Sequence, residues 1–377
     1  MLGRQASGGN EDGKLAAPRL KVGLRVLAWA LSAVGLGVLG TTSASAEQMA
    51  HPGRNGKLVF AQTCTDYSGS GEGASCGRHF ATMSPDGSSF RLLSPNKTFT
   101  GYRARLSPDG RRVLIGRGED FGGLPTSIAA VSLVGGKVTT IYSNRLSLRT
   151  ELSVQAGDWF PDGKRIAFLG YRRGRVGIYT IGVDGKQQRR IRVFSWGPSL
   201  YQLTVSPDGR RFAFVRGAMN LYVMNANGSG LKRIAKGCSL NIGDWSPDSK
   251  RLLVSWMEDP NPKQPCGSPD SGLYTLPANG GAAQRVFAEK YVRTGAGESY
   301  GDTPPLGIFS PDGTRIAFMV HRLPGGGGIL RHNTVMVMRA NGTDLRTVRQ
   351  GEAQKNRNDE CFRCVSYAGL GWQRVAR

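Results

Sequence analysis

Short apolar runs recur along the chain, each entered through a tight polar turn. They are Val113 to Ile115, Ile166 to Leu169, Phe212 to Val215, Leu252 to Val254 and Ile316 to Val320. Runs this short, almost without a polar position and bounded by turn residues, read as strands buried on both faces. The turns before them are Ser107-Pro108-Asp109-Gly110, Phe160-Pro161-Asp162-Gly163, Ser206-Pro207-Asp208-Gly209, Ser246-Pro247-Asp248-Ser249 and Ser310-Pro311-Asp312-Gly313. These residue types suit a type I turn. Ser bonds back to the turn, Pro presets φ, Asp tolerates the bridge region, and the last residue takes the left-handed conformation. A large apolar residue ends the strand before each turn: Leu106, Trp159, Val205, Trp245 and Phe309.

A second pattern lies further on in each unit. Ile178 to Ile181, Leu221 to Met224 and Leu273 to Leu276 read as one equivalent strand, followed by Asp184-Gly185, Asn227-Gly228 and Asn279-Gly280. Asp-Gly and Asn-Gly are strong hairpin signals. Asp86-Gly87, Gly135-Gly136 and Asn341-Gly342 take the same place, and a basic, β-prone strand follows, as in Arg189 to Val193 or Leu231 to Ala235. The chain thus predicts six units of four antiparallel strands, an all-β, six-bladed β-propeller. The first unit starts at Asn55-Gly56 and the strand Lys57 to Ala61, without its innermost strand. The segment Ala368 to Trp372 has the form of the missing strand. The C-terminal strand is therefore expected to join the N-terminal blade and close the ring, which removes free sheet edges.

The Ser-Pro-Asp-Gly-basic-apolar units, the Tyr-containing strands and the Asn-Gly turns together resemble the TolB-like, WD40-like Pro-Asp propeller repeat, over residues from about 51 to 376. The resemblance implies the propeller fold. TolB proteins carry an additional N-terminal α/β domain for which this chain has no room, so the likeness is to the propeller. Propeller peptidases carry an α/β-hydrolase domain for which no segment remains.

Ahead of the repeats, Arg19, Lys21 and Arg25 precede an apolar run from Val26 to Gly40, and Ala44-Ser45-Ala46 follows. This is the form of a signal peptide. An uncleaved anchor is the rival, and the run is short for a spanning helix. The reading is a signal peptide over residues 1–46 and a propeller over residues 47–377, secreted or in the periplasm or cell envelope. Membrane contact is expected only through that segment if it stays uncleaved.

In such a fold the short Pro-Asp-Gly and Asn-Gly turns share one face of the disc. The longer connections, roughly 62–77, 117–126, 256–272, 288–303, 321–332 and 351–367, share the other, where binding is expected. Residues opening the innermost strands should line the channel mouth there: Tyr102, Arg103, Gln155, Asp158, Tyr201, Gln202, Asn241, Asp244, Asp302, Thr303 and Tyr367. Such groups bind a sugar, a peptide terminus or a cation, and equally satisfy one another and water around a wet channel.

The six cysteines, Cys64, Cys76, Cys238, Cys266, Cys361 and Cys364, map to the long-connection face. In an oxidising compartment an even count implies disulfides. The blade map suggests 64–76, 238–266 and 361–364, with a crossed pairing of 64 and 76 to 361 and 364 left open. No catalytic set emerges. His321 and His332 flank one loop without a third ligand, and Gly73 to Gly77 matches G-x-S-x-G outside the strand–turn–helix setting that motif needs. No catalytic, cofactor or metal residues are assigned.

The chain of 377 residues carries a formal charge of +23. Setting aside residues 1–46 leaves +20, enough to favour anionic partners. Basic residues follow the first turn of each blade: Lys57, Arg111, Arg112, Lys164, Arg165, Arg210, Arg211, Lys250, Arg251 and Arg315. Basic residues also mark the outer strands, where they deter edge pairing. Export and the lack of interleaved aromatics argue against nucleic acid. The expectation is a monomeric, non-catalytic binding module for an envelope protein or an anionic glycan. A secreted polysaccharide lyase or hydrolase acting at the channel mouth is the alternative.

Overall fold

The computed structural model describes residues 54–66, 74–93, 105–117, 126–143, 153–172, 175–195, 200–217, 220–237, 240–256, 271–288, 306–322, 332–350, 353–355 and 361–375. The first blade holds β1 (Arg54–Asp66), β2 (Ala74–Met83) and β3 (Arg91–Leu92). The second holds β4 (Arg105–Leu106), β5 (Arg112–Arg117), β6 (Ser127–Ser132) and β7 (Val138–Ser143). The third holds β8 (Ser153–Trp159), β9 (Arg165–Arg172), β10 (Arg175–Gly182) and β11 (Arg189–Phe194). The fourth holds β12 (Leu200–Val205), β13 (Arg211–Arg216), β14 (Asn220–Asn225) and β15 (Lys232–Lys236). The fifth holds β16 (Asn241–Trp245), β17 (Arg251–Trp256), β18 (Gly272–Pro277) and β19 (Gln284–Ala288). The sixth holds β20 (Gly307–Phe309), β21 (Arg315–Arg322), β22 (His332–Arg339) and β23 (Arg346–Gln350), after which β24 (Ala353–Lys355) and β25 (Cys361–Val375) return to the first blade. Each blade is an antiparallel meander, and there is no helix among the described residues.

The first turns form as their residue types require. The amide of the fourth residue donates to the carbonyl of the first, as in Gly209 N to Ser206 O at 2.7 Å and Ser249 N to Ser246 O at 2.8 Å. The Ser hydroxyl donates to the turn Asp, at 2.6 Å for both Ser246–Asp248 and Ser310–Asp312. It also accepts the amide five residues on, as in Arg211 N to Ser206 Oγ at 2.9 Å. The Asp Oδ1 caps the amide two residues on, for example Lys250 N at 3.0 Å. The last turn residue is left-handed, with φ +70° at Gly209 and +61° even at Ser249.

The predicted ring closure is present, and longer than the sequence suggests. β25 begins at Cys361 rather than at residue 368, because β1 runs on to Asp66, opposite Arg363, and β24 pairs with the strand down to Cys361. β24 pairs with β25 and makes the first blade five-stranded, in the order β24-β25-β1-β2-β3. The 62–77 and 321–332 connections shorten likewise, since β1–β2 and β21–β22 extend into them.

The core is divided into six clusters, each between two neighbouring blades. One of them joins the sixth blade to the first through Ile308, Met319 and Val335 on one side and Leu58, Met83 and Trp372 on the other. The apolar runs are buried on both faces because each face of a sheet meets the next sheet.

At the disc's edge the same contact repeats. Each outer strand of blades two to six carries a bulge at one apolar residue: Ile141, Ile191, Ile234, Val286 and Val348. The turn glycine of the following blade packs on it. A Cβ added at Gly185, Gly228 or Gly342 would meet the carbonyl oxygen of Ile141, Ile191 or Val286 at 3.0, 2.9 or 2.5 Å. At Gly87 of the first blade it would meet the Val348 oxygen of the sixth at 2.5 Å, so the ring is locked at its rim as well.

Candidate functional site

The innermost strands end, on the short-turn side, around a cavity of about 110 Å³. The five turn prolines, Trp372, Arg105, Asp158 and Asp244 are among its walls. The two carboxylates sit at equivalent positions, one residue before Trp159 and Trp245, and each reaches across to the next blade. Asp158 Oδ1 accepts the Trp159 amide at 2.9 Å, while Oδ2 accepts the Thr204 hydroxyl at 2.7 Å and the Val205 amide at 3.1 Å. Asp244 Oδ1 accepts the Trp245 amide at 2.9 Å and Oδ2 the Phe309 amide at 3.3 Å. Arg105 donates to the Gly243 carbonyl at 3.2 Å and lies 3.8 Å from Asp244 Oδ1. The tryptophans repeat the theme: Trp159 Nε1 donates to Arg105 O at 3.0 Å and Trp372 Nε1 to Gly56 O at 3.1 Å. Asp158, Asp244, Arg105 and Trp159 are clamps between blades, and Trp372 ties the two chain ends together within the first.

This corrects the sequence assignment of Asp158 and Asp244 to the long-connection mouth. Both are the last-but-one residue of their strand, at the opposite end of the channel, because β8 and β16 are longer than the turn motif alone indicates. Gln155, Tyr201, Gln202 and Asn241 do lie near the starts of β8, β12 and β16. Gln202 donates to Asn241 Oδ1, and its Oε1 accepts the Ile242 amide at 2.7 Å, with φ +59° at Gln202. Gln155 Oε1 lies 3.4 Å from the Tyr171 hydroxyl, which donates to Leu200 O at 2.7 Å. Burial, with a smaller effect of Tyr201, raises the Tyr171 phenol above its ordinary value and keeps it neutral. Tyr201 is 39% exposed and is the open aromatic of the set. Tyr102, Arg103, Asp302 and Thr303 lie outside the described residues, as does the Tyr367 side chain. Sequence reasoning missed Arg105, Thr204 and Tyr171. Arg105 was findable, since it precedes Leu106 as Asp158 precedes Trp159.

The basic ring of the turn face is present, and much of its charge is already engaged. The second basic residue of several turns stacks on an aromatic ring: Arg112 on Trp159 at 4.8 Å, Arg165 on Phe160 at 4.2 Å and Arg211 on Trp245 at 5.1 Å. Arg315 pairs with Asp344 at 3.4 Å. The first basic residues, Arg111, Lys164, Arg210 and Lys250, each follow a turn Asp by two positions, so both signs alternate round this face.

Cys238, Cys266 and residues 1–46 lie outside the described residues. Cys64 stands opposite Gly77 and Val365, and Cys364 opposite Thr65, so the backbone gathers Cys64, Cys76 and Cys364 at one end of the first blade. Cys361 and Cys364 share one extended strand. The side chains of Cys64, Cys76, Cys361 and Cys364 lie outside the described residues, and with them the pairings expected from the sequence. His321 and His332 take neighbouring registers on β21 and β22. Among the described residues, no three His, Cys, Asp or Glu converge as a metal site.

No protein-family model matches the chain. The crystal structure of TolB from Acinetobacter baumannii superposes on it with a TM-score of 0.56 at 16% identity, covering 84% of this chain and 66% of that one. The chain is a TolB-like six-bladed propeller. The Tol-Pal system protein TolB of Francisella tularensis is 30% identical over 102 residues, 25% of this chain and 22% of that protein. Protein Atu1656 of Agrobacterium fabrum is 28% identical over 183 residues, 44% of this chain and 57% of that one. The matches thus span from about a fifth to just over half of these curated relatives. An oligogalacturonate lyase in complex with manganese shares the TolB-like fold, with a TM-score of 0.50 at 11% identity over 81% of this chain and 88% of the lyase.

Proposed function

We propose that this TolB-like propeller is an exported, non-catalytic binding module of the cell envelope, which presents its long-connection face to a protein partner. The observation that carries this reading is the state of the channel carboxylates. Asp158 and Asp244 are both held by amides of their own and the next blade, and Arg105 by a carbonyl and Asp244. Groups committed to the ring are poor candidates for proton transfer. A rigid frame with variable connections suits recognition better. Export follows from residues 1–46 read as a signal peptide, with a secreted or periplasmic location and disulfides among the cysteines. The likeness to the lyase is one of fold and brings no chemistry with it.

The test is capture from solubilised envelope by the immobilised full chain, at low and at high salt. A protein retained at high salt, and lost when residues 257–270 are replaced by a short Gly-Ser linker, is the expected result. Retention that disappears as salt rises would reduce the binding to charge attraction. Retention unaffected by the loop replacement would move the site away from that face.

A further inference from the structure

The outer strands of the six blades are β3, β7, β11, β15, β19 and β23, with sequences RL, VTTIYS, RRIRVF, KRIAK, QRVFA and RTVRQ. Together they hold ten Lys or Arg and no Asp or Glu. Six of the ten are on the neighbouring strands β11 and β15: Arg189, Arg190, Arg192, Lys232, Arg233 and Lys236. Charge guards an exposed edge against strand pairing, Lys most often, but that role calls for no concentration on two neighbouring blades. The chain has 27 acidic residues to draw on, and none is placed here. On the turn face, by contrast, Arg111, Lys164, Arg210 and Lys250 each follow a turn Asp by two positions.

The two strands also match in register. Arg189 stands opposite Thr180 and Arg190 opposite Tyr179, as Lys232 stands opposite Val223 and Arg233 opposite Tyr222. Consecutive residues of a strand point to opposite faces, so each blade edge offers cations on both sides. Two of these side chains are held in place without being neutralised. Arg192 Nη1 donates to Gly228 O at 2.8 Å and Lys232 Nζ to Asn279 O at 2.9 Å, both turn carbonyls of the next blade. Among the described residues none of the six pairs with a carboxylate.

We propose that the β11–β15 rim binds a linear anionic polysaccharide that runs along the edge of the disc from blade to blade. The convex, periodic arrangement selects this occupant. A flexible chain of regularly spaced anions follows a curved edge and meets β11 and β15 in turn, whereas a flat anionic surface touches few strands at once. The inference rests on the binding-module reading for its setting in the envelope, but the rim and the long-connection face are separate surfaces with separate tests.

The experiment titrates the full chain with polygalacturonate, a linear carboxylated glycan, with neutral dextran and with phosphatidylglycerol vesicles, over a range of salt. One variant carries Arg189→Gln, Arg190→Gln, Lys232→Gln and Arg233→Gln. A second removes the same charge from the turn face through Arg111→Gln, Lys164→Gln, Arg210→Gln and Lys250→Gln. All eight side chains are exposed, and circular dichroism with melting confirms that each variant folds. The expected result is salt-sensitive binding of polygalacturonate and none of dextran. The rim variant loses about tenfold or more in affinity, the turn-face variant about threefold or less. The chain with residues 257–270 replaced keeps full polymer affinity. Equal losses in the two charge variants would reduce the effect to net charge and overturn the site. So would failure to bind the polymer, loss of polymer affinity on replacing 257–270, or vesicle binding that the polymer does not displace.

Discussion

At Gly342 the backbone has φ +90°, and a Cβ would lie 2.5 Å from the Val286 carbonyl oxygen of the preceding blade. Gly135 has φ +72° in the hairpin turn of the second blade, with nothing within 4 Å of its would-be Cβ. The pair separates two costs. Gly135→Ala is expected to lose about 1 kcal/mol for the left-handed backbone alone. Gly342→Ala should lose about 1–3 kcal/mol more, because the rim contact must open. Thermal or denaturant unfolding of the two variants measures the difference, and equal losses would show that the blade contact is not tight. The hairpin role of Asn341-Gly342 was legible in the sequence, because Asn-Gly is a local signal. The packing role was not, since it depends on a bulge in another blade. The turn Ser, Pro and Asp were legible for the same local reason, though the amide cap that each Asp provides was not.

Strands show where local reading stops. The buried runs and their order follow from short-range pattern, but the length of β8 depends on pairing with β9 back to Ser153 opposite Tyr171. That length moves Asp158 from the channel mouth to the opposite end, where it joins the third blade to the fourth. Asp158→Ala leaves the Thr204 hydroxyl and the Val205 amide without their acceptor. It should cost about 2–4 kcal/mol, with no change in the affinity of the long-connection face for its partner. A loss of partner affinity at unchanged stability would return Asp158 to the binding surface. The first turns carry a pH signature. In Asp109, Asp248 and Asp312 burial pushes the carboxyl up, but hydrogen bonds from Ser107, Ser246 and Ser310 and from nearby amides outweigh it, and all three lie below their ordinary value. A carboxyl depressed in the folded state stabilises fully above its unfolded value, near about 4. It gives that stability up as pH falls through the lower folded value. The melting temperature should therefore fall from about pH 5 to about pH 3. An Asp109→Asn, Asp248→Asn, Asp312→Asn chain should show a flatter profile, and an equal slope would assign the acid sensitivity to other groups.

For the whole molecule, closure is the feature that both sequence and structure make explicit. Trp372 was recognisable as the partner of Trp159 and Trp245 although it lies at the far end of the chain. It fills the cluster between the sixth and first blades and donates to Gly56 O. Trp372→Ala should cost about 3–5 kcal/mol and expose the seam, seen as early proteolysis in the first blade; cleavage spread evenly over the blades would argue against a seam. The candidate site was less legible, because residues placed together by the ring are far apart in the chain and their bonds depend on neighbouring blades. What the ring does with its channel groups decides between a binder and an enzyme. The most direct measurement is to incubate the full chain with polygalacturonate, with and without manganese, and follow polymer length together with the ultraviolet absorbance of unsaturated ends. The account predicts polymer recovered at its original length with no new absorbance. Progressive shortening with unsaturated ends, abolished by a channel substitution such as Asp244→Asn in a chain that still folds, would contradict it.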